Sequence, residues 1–308
     1  MITTICLNPS FDRAVELDTL KLGGVNTIRK LREDPGGKGI NVAMAARRLG
    51  LEVQCIGTMG EDGADKLCAL MDQEGVEHHF LRIPGRVRTN LKLFIRNEKG
   101  ITELNDQGDP LSAETIDAFF RLAKEETADS DMVVLTGSLP PGCPRGLYRD
   151  LMNTLEGKKC IVDSKGPELE LAAKGAKPFL IKPNLHEMEE TLGLELRTMR
   201  SIRDAALLFV RLGVEHVVIS MGAMGAMYVD PERTYFAPAL RVSARSTVGA
   251  GDAMLAGMLL GYEKEGDMGK AFRYGVAAGA ANVKTEGTQL TVPEDFSALI
   301  DQVRIQEV

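Results

Sequence analysis

The chain has no CxxC pair, and its five cysteines, Cys6, Cys55, Cys68, Cys143 and Cys160, are scattered and odd in number. Neither a disulfide framework nor a zinc site is suggested, and a reduced, cytoplasmic setting is expected. The four histidines, His186 among them, show no metal-ligand spacing. Lys and Arg are not in excess: the formal net charge is -7, which argues against nucleic acid as a partner. Any anionic ligand must therefore meet locally gathered cations. Met1 to Asp12 lacks the basic start and apolar stretch of a signal peptide. No uncharged run approaches the ~18 residues of a membrane span, so an unexported, soluble protein with no membrane partner is expected. Internal repeats, biased tracts and Pro/Gly/Ser-rich linkers are missing too. What is present, 308 residues with 44% hydrophobic and 26% charged, suits one large globular domain with a small appendage.

From about residue 130 onward, short β-branched or apolar runs alternate with helical patterns: Met132 to Leu135, Cys160 to Asp163, Phe179 to Ile181 and His216 to Ser220. This rhythm predicts a mainly parallel sheet with helices on both faces, an α/β fold. Arg203 to Leu212, apolar at helical spacing and stopped by Gly213, reads as a crossover helix. The first third differs. Asn90 to Arg96 alternates Leu91, Leu93 and Ile95 against polar residues, turns at Asn97 to Gly100 and continues through Ile101 to Leu104, a hairpin signature. With Val15 to Leu17 and Thr27 to Leu31 as further extended segments, residues 12–34 and 87–106 are expected to form a discontinuous β appendage. Residues 1–11, 35–86 and 107–308 are left to the α/β domain.

Ser246 to Ala253 is the most informative segment, since a glycine-rich turn (Gly249, Ala250, Gly251) opens an apolar helical run that starts at Asp252. Backbone N–H groups from Gly249 to Asp252 would converge there with the positive end of a helix dipole, a natural place for phosphate. Alone, the same residues are equally those of a capped helix behind a tight turn. The dinucleotide fingerprint is missing because its third glycine position is Met254. A Walker A loop is missing because Lys38 precedes Gly39 and Arg32 stands at the required first glycine.

A second glycine cluster, Pro35 to Asn41, precedes a predicted helix over Val42 to Leu49. It lets backbone approach a ligand while Lys38 offers a cation and Asn41 a donor and an acceptor; a loop with a solvated lysine is the plain alternative. Asp12 follows the first strand segment, Thr3 to Leu7, at a sheet end where α/β proteins bind ligands, or is a turn former. Ser138, in Gly137 to Gly142, follows Met132 to Leu135. Asn184 and Glu187 follow Phe179 to Ile181 at a helix start, an oxygen pair that suits Mg²⁺ through its waters or else makes a capping box.

Taken together, these motifs resemble the ribokinase-like superfamily, specifically the phosphofructokinase-B sugar kinases, over Asn8 to about Thr288. Gly36 to Asn41 and Thr247 to Asp252 match the family's two signature regions in order. The resemblance implies a doubly wound α/β domain bearing a small β-sheet lid, with ATP and Mg²⁺ as cofactors and a homodimer made through the lids. It implies Asp12, Gly37, Lys38, Asn41, Arg88 and Ser138 on the sugar phosphate, and Lys182, Asn184 and Glu187 at the nucleotide and Mg²⁺. Ser220, Gly222, Gly225 and Thr247 fall on the nucleotide side, with Asp252 as base beside the Gly249, Ala250 and Gly251 anion hole. Gly36 to Asn41 with Arg88 to Lys92 looks most like the branch that phosphorylates fructose 1-phosphate, and tagatose-6-phosphate kinases share much of the pattern. A non-catalytic sugar-phosphate sensor would keep the binding residues without the base or the hole, and both are present.

Overall fold

Runs of wholly buried residues, aliphatic and β-branched, build the middle of the large sheet, as expected where both faces are covered. In Ile2–Cys6 (β1) and Met132–Thr136 (β8) every residue is buried. The computed structural model describes residues 1–308 except Asn97 and Lys99, so part of the turn expected over Asn97 to Gly100 lies outside the described residues. The other strands in chain order are Ser10–Leu17 (β2), Lys30–Gly36 (β3), Val53–Asp62 (β4), Glu77–Arg86 (β5), Arg88–Ile95 (β6) and Thr102–Leu104 (β7). After β8 come Lys159–Asp163 (β9), Leu180–Ile181 (β10), His216–Ser220 (β11), Ala226–Val229 (β12), Thr234–Ala237 (β13) and Gln306–Glu307 (β14).

Among the described residues, ten strands form one sheet in the order β14-β13-β12-β11-β10-β9-β8-β1-β4-β5. It is parallel from β5 through β11 and turns antiparallel at β12 to β14. Alternate residues feed two cores. Val134, Ile161, Leu180 and Val218 join one buried cluster, while Val133, Leu135, Val162, Ile181, Val217 and Ile219 join the other. Helices therefore cover both faces, and the doubly wound α/β expectation is borne out. The helices that matter for the site are Lys38–Arg48 (α1), Leu185–Leu192 (α2), Met199–Arg211 (α3), Ala250–Glu265 (α4) and Met268–Asn282 (α5). α3 is the expected crossover helix, started four residues early by a Thr198/Ser201 capping box. No helix among the described residues is long and apolar enough to cross a membrane.

A separate four-stranded sheet, in the order β3-β2-β6-β7, stands apart from the large one. Its pairing puts Ser10, Asp12, Ala14 and Glu16 of β2 beside Arg88, Asn90, Lys92 and Phe94 of β6 on one face. The opposite face gathers Val15, Leu17 and Leu93 with Leu91. The segment expected to be extended over Thr27 to Leu31 instead pairs from Lys30 to Gly36. The strand runs on through Arg32 to Asp34, whose charges are used in pairing: Glu33 stands opposite Arg13 and accepts its Nε–H at 2.7 Å. Cross-strand opposite charges of this kind stabilise a register that hydrophobicity does not specify. The small sheet consequently runs through Pro35 and Gly36. It hands the chain to α1 four residues earlier than the predicted start at Val42, because Gly37, at φ 104°, makes the corner. A Cβ at Gly37 would lie 2.7 Å from Cys6 Sγ.

Candidate active site

The carboxyl ends of the parallel strands, where open α/β sheets take their ligands, here meet the N-termini of α1 and α4. Gly249, at φ 75°, is the corner before α4, and no side chain caps that helix. Asp252 therefore does not act as a cap. It is buried, and its Oδ2 accepts a hydrogen bond from Asn41 Nδ2 at 2.9 Å. The turn is held from outside: Asn282, fully buried on α5, donates from Nδ2 to the Val248 carbonyl at 2.8 Å. Ser246 Oγ donates to the Gly287 carbonyl at 2.5 Å, and the Ala250 N–H meets the Thr247 carbonyl at 3.3 Å. Lys182 reaches the same turn, its Nζ lying 3.3 Å from where a Cβ on Gly251 would be.

Behind the turn lies a charged cluster that includes a residue sequence reasoning missed. Asp163, at the end of β9, has a side chain 0% exposed, with Lys182 Nζ at 3.4 Å and Lys38 Nζ at 3.5 Å. Its Oδ2 is buried without a hydrogen-bond partner among the described residues. The signal available was an acid closing a buried β-branched run, Cys160 to Asp163, at the ligand-binding end of a parallel strand. Lys38, 35% exposed, also donates to Glu187 Oε1 at 3.1 Å, so it is an ion-paired side chain and not a freely solvated one. The capping box is real: Asn184 Oδ1 accepts the Glu187 N–H at 2.8 Å and Glu187 Oε2 accepts the Asn184 N–H at 2.9 Å. The cap uses one oxygen of Glu187, and the other is turned to Lys38 in the cluster.

The electrostatics follow from burial set against pairing. Burial raises the Asp252 carboxyl to about 6, with the Asp163 charge adding to the rise while Lys38, the Asn41 hydrogen bond and Lys182 pull it down. Burial acts the same way on Asp163, but Lys182 and Lys38 win and hold it below the usual carboxylate range. Burial alone would lower Lys38; Asp163, Glu187 and Asp252 instead push it well up. The cluster is one Asp poised near neutrality beside a permanently ionised acid and base.

The small sheet supplies the facing wall. Asp12 Oδ1 accepts from Ser10 Oγ at 2.7 Å and Asn90 Nδ2 at 2.8 Å. Gly36 presses against it, for a Cβ there would come within 2.4 Å of that oxygen. Arg88, whose charge burial disfavours, spends three N–H groups on backbone carbonyls, two on Asn8 at 3.0 and 2.8 Å and one on Asp106 at 2.7 Å. Ser138 Oγ accepts from Asn8 Nδ2 at 3.4 Å, and its neighbour Gly137 abuts Lys38. The structure therefore gathers Asp12, Gly37, Lys38, Asn41, Arg88, Ser138, Lys182, Asn184, Glu187 and Asp252 around the Gly36 to Lys38 corner. Ser220 joins by a bridge to Asn184. Gly222 and Gly225 close the β11–β12 turn and have no hydrogen bond to the cluster among the described residues. A cleft of about 340 Å³ lies between the small sheet and Arg245, Glu286 and Gly287; its lining includes neither Asp252 nor Lys38.

Residues 7–295 match the profile of the pfkB family carbohydrate kinases. A 1-phosphofructokinase of Haemophilus influenzae is 34% identical over 307 residues, 99% of this chain and 97% of that protein. Phosphofructokinase-2 from Escherichia coli, solved in complex with substrates and products, is 30% identical and superposes with a TM-score of 0.90 over 98% of each chain. Ribokinase from Thermotoga maritima, at 20% identity, shares the fold with a TM-score of 0.80 over 97% of this chain and 99% of that one. Fold and matches define the class as a phosphotransferase, a sugar-phosphate kinase. Within that class, the chain belongs to the pfkB family of carbohydrate kinases.

Proposed function

We propose that the protein transfers the γ-phosphoryl group of ATP to the free primary hydroxyl of fructose 1-phosphate, giving fructose 1,6-bisphosphate, with Asp252 as general base. The observation that carries this reading is Asp252 itself. It is buried at the mouth of a glycine turn, does not cap its helix, and sits near neutrality at about 6, close to the working pH at which a base is most effective. The acceptor hydroxyl gives its proton to Asp252. The N–H groups of Gly249, Gly251 and Asp252, with Lys182, hold the charge that develops on the transferring phosphoryl, while the Ala250 N–H, turned to the Thr247 carbonyl, shapes the turn. Ser220, Gly222, Gly225 and Thr247 line the nucleotide side. Asp12, Gly37, Lys38, Arg88 and Ser138 hold the sugar phosphate, and Asn41 lies beside them with its amide on Asp252.

Asp163 and Glu187 fit Mg²⁺: the buried Oδ2 of Asp163 faces Lys182 Nζ at 3.4 Å without a well-formed hydrogen bond, and Glu187 lies across Lys38 from the same carboxyl. Two carboxylates with Asn184 nearby suit a hard cation that keeps several waters. When bound it neutralises phosphate oxygens. Residues 12–34 and 87–106 act as a lid that closes over the sugar and keeps water out. The lid exposes apolar side chains, Leu22 and Val25 at 92% in the β2–β3 loop and Leu31 and Leu104 by half on its strands, and would pair with a second copy to make a homodimer. Five free cysteines suit a cytoplasmic setting.

The deciding experiment is a coupled assay over a panel of hexose phosphates. Fructose 1-phosphate should give the highest kcat/KM. Preference for tagatose 6-phosphate or fructose 6-phosphate would move the substrate within the family, and no turnover of any of them would end the reading.

A further inference from the structure

Asn41 belongs to a motif expected to meet the sugar, yet its amide is already engaged with the base. It lies in the first turn of α1, anchored by its own N–H to the Gly37 carbonyl at 2.9 Å. From there Nδ2 reaches Asp252 Oδ2, a partner 211 residues away. An amide N–H donates to a carboxyl oxygen that carries no proton, and when the group is ionised the bond is charge-assisted, directional and about twice as strong as a neutral one. The other groups that face Asp252 act through space: Lys38 from α1, Lys182 following β10, and Asp163 at the end of β9. Among the described residues Asn41 is the hydrogen-bond donor to this side chain.

We infer that Asn41 is the positioning residue for the base: it fixes Oδ2 of Asp252, so that Oδ1 is turned to the acceptor hydroxyl and takes its proton. This rests on the assignment of Asp252 as base. The two glycine motifs, far apart in sequence, thereby become one device. The first motif, through α1, aims the catalytic group of the second. Burial opposes ionisation of Asp252 and the Asn41 bond favours it, so losing the donor should raise the carboxyl and cost aim at the same time.

The test is Asn41→Leu, which removes the donor at similar size, with Asn41→Ala as the second variant should the first fail to fold. ATP binding and a thermal melt check the fold of each. We expect kcat to fall about 10- to 100-fold, the loss of one charged hydrogen bond, while KM for the sugar phosphate stays within about threefold. The acid limb of the kcat profile should move to higher pH. Asn41→Asp should move it further, because a second carboxylate opposes ionisation. A rise in sugar-phosphate KM with kcat and acid limb at wild-type positions would show Asn41 to be a substrate ligand only and overturn the inference. Asp252→Asn is measured alongside. If it stays active, the base assignment falls and takes this inference with it; if it is dead while the Asn41 variants keep the wild-type acid limb, only the positioning role falls.

Discussion

On the strand-end wall of the site, Lys38, Asp163, Lys182 and Glu187 are packed into one ion-paired cluster behind Asp252, with Asp163 and Lys182 almost out of contact with water. On the small-sheet wall, Asp12 is held by the neutral donors Ser10 and Asn90, and the Arg88 guanidinium is tied to main-chain carbonyls. A buried ion pair is costly to break because the survivor is left uncompensated, about 3–5 kcal/mol, whereas a single hydrogen bond from a neutral donor to a carboxylate, such as those Asp12 accepts, is worth about 1.5–3 kcal/mol. The first wall is therefore built so that its members stand or fall together, as electrostatic preorganisation demands. The second can be altered piece by piece. That difference matches a division between performing phosphoryl transfer and choosing the sugar.

Asp163→Asn should test the first wall most severely. It leaves Lys182, whose side chain is 3% exposed, without its carboxylate, at a cost of about 3–5 kcal/mol for a broken buried pair. We expect a clear fall in melting temperature, a loss of kcat of at least about 100-fold and a raised Mg²⁺ requirement. Unchanged melting and unchanged Mg²⁺ dependence would show that the cluster is not a unit.

Arg88→Ala should have a smaller and more selective effect. It removes an arginine grip on the sugar phosphate, so KM for that substrate should rise about tenfold while KM for ATP holds within about twofold. Initial rates with each substrate varied in turn measure this. Equal movement of both constants would erase the distinction between the walls.

The two walls also differed in how far they could be read ahead of the structure. Gly249, Gly251 and Asp252 announced themselves because glycines and an acid before an apolar helical run are a local pattern. The parallel strands were as plain, since burial on both faces leaves β-branched runs. Asp163 passed unnoticed because its partners, Lys38 and Lys182, are 125 and 19 positions away and only tertiary packing brings them to it. The same holds for the Asn282 prop under Val248 and for the Asn41 bond to Asp252. β3 was misplaced because Lys30 to Asp34 is charged at every position but one, and its strand character comes from partners on β2. Glu187 was posed as a choice between cap and metal ligand, although a carboxylate has two oxygens and here one caps the helix while the other pairs with Lys38.

The account stands on Asp252, and the most direct measurement is kcat of Asp252→Asn against wild type across pH, with both substrates' binding measured in parallel. Wild-type turnover should fall as pH drops through about 6, where the base takes up its proton. The variant should lose about 10²- to 10⁴-fold at neutral pH with ATP and sugar phosphate still bound. The carboxyl is raised above its unfolded value, so it favours the fold fully only below about pH 4, and that contribution is gone above about 6. The variant should accordingly melt higher than wild type at pH 8 and like it near pH 4. A folded variant that keeps more than about a tenth of wild-type kcat, well short of the expected loss, would contradict the assignment.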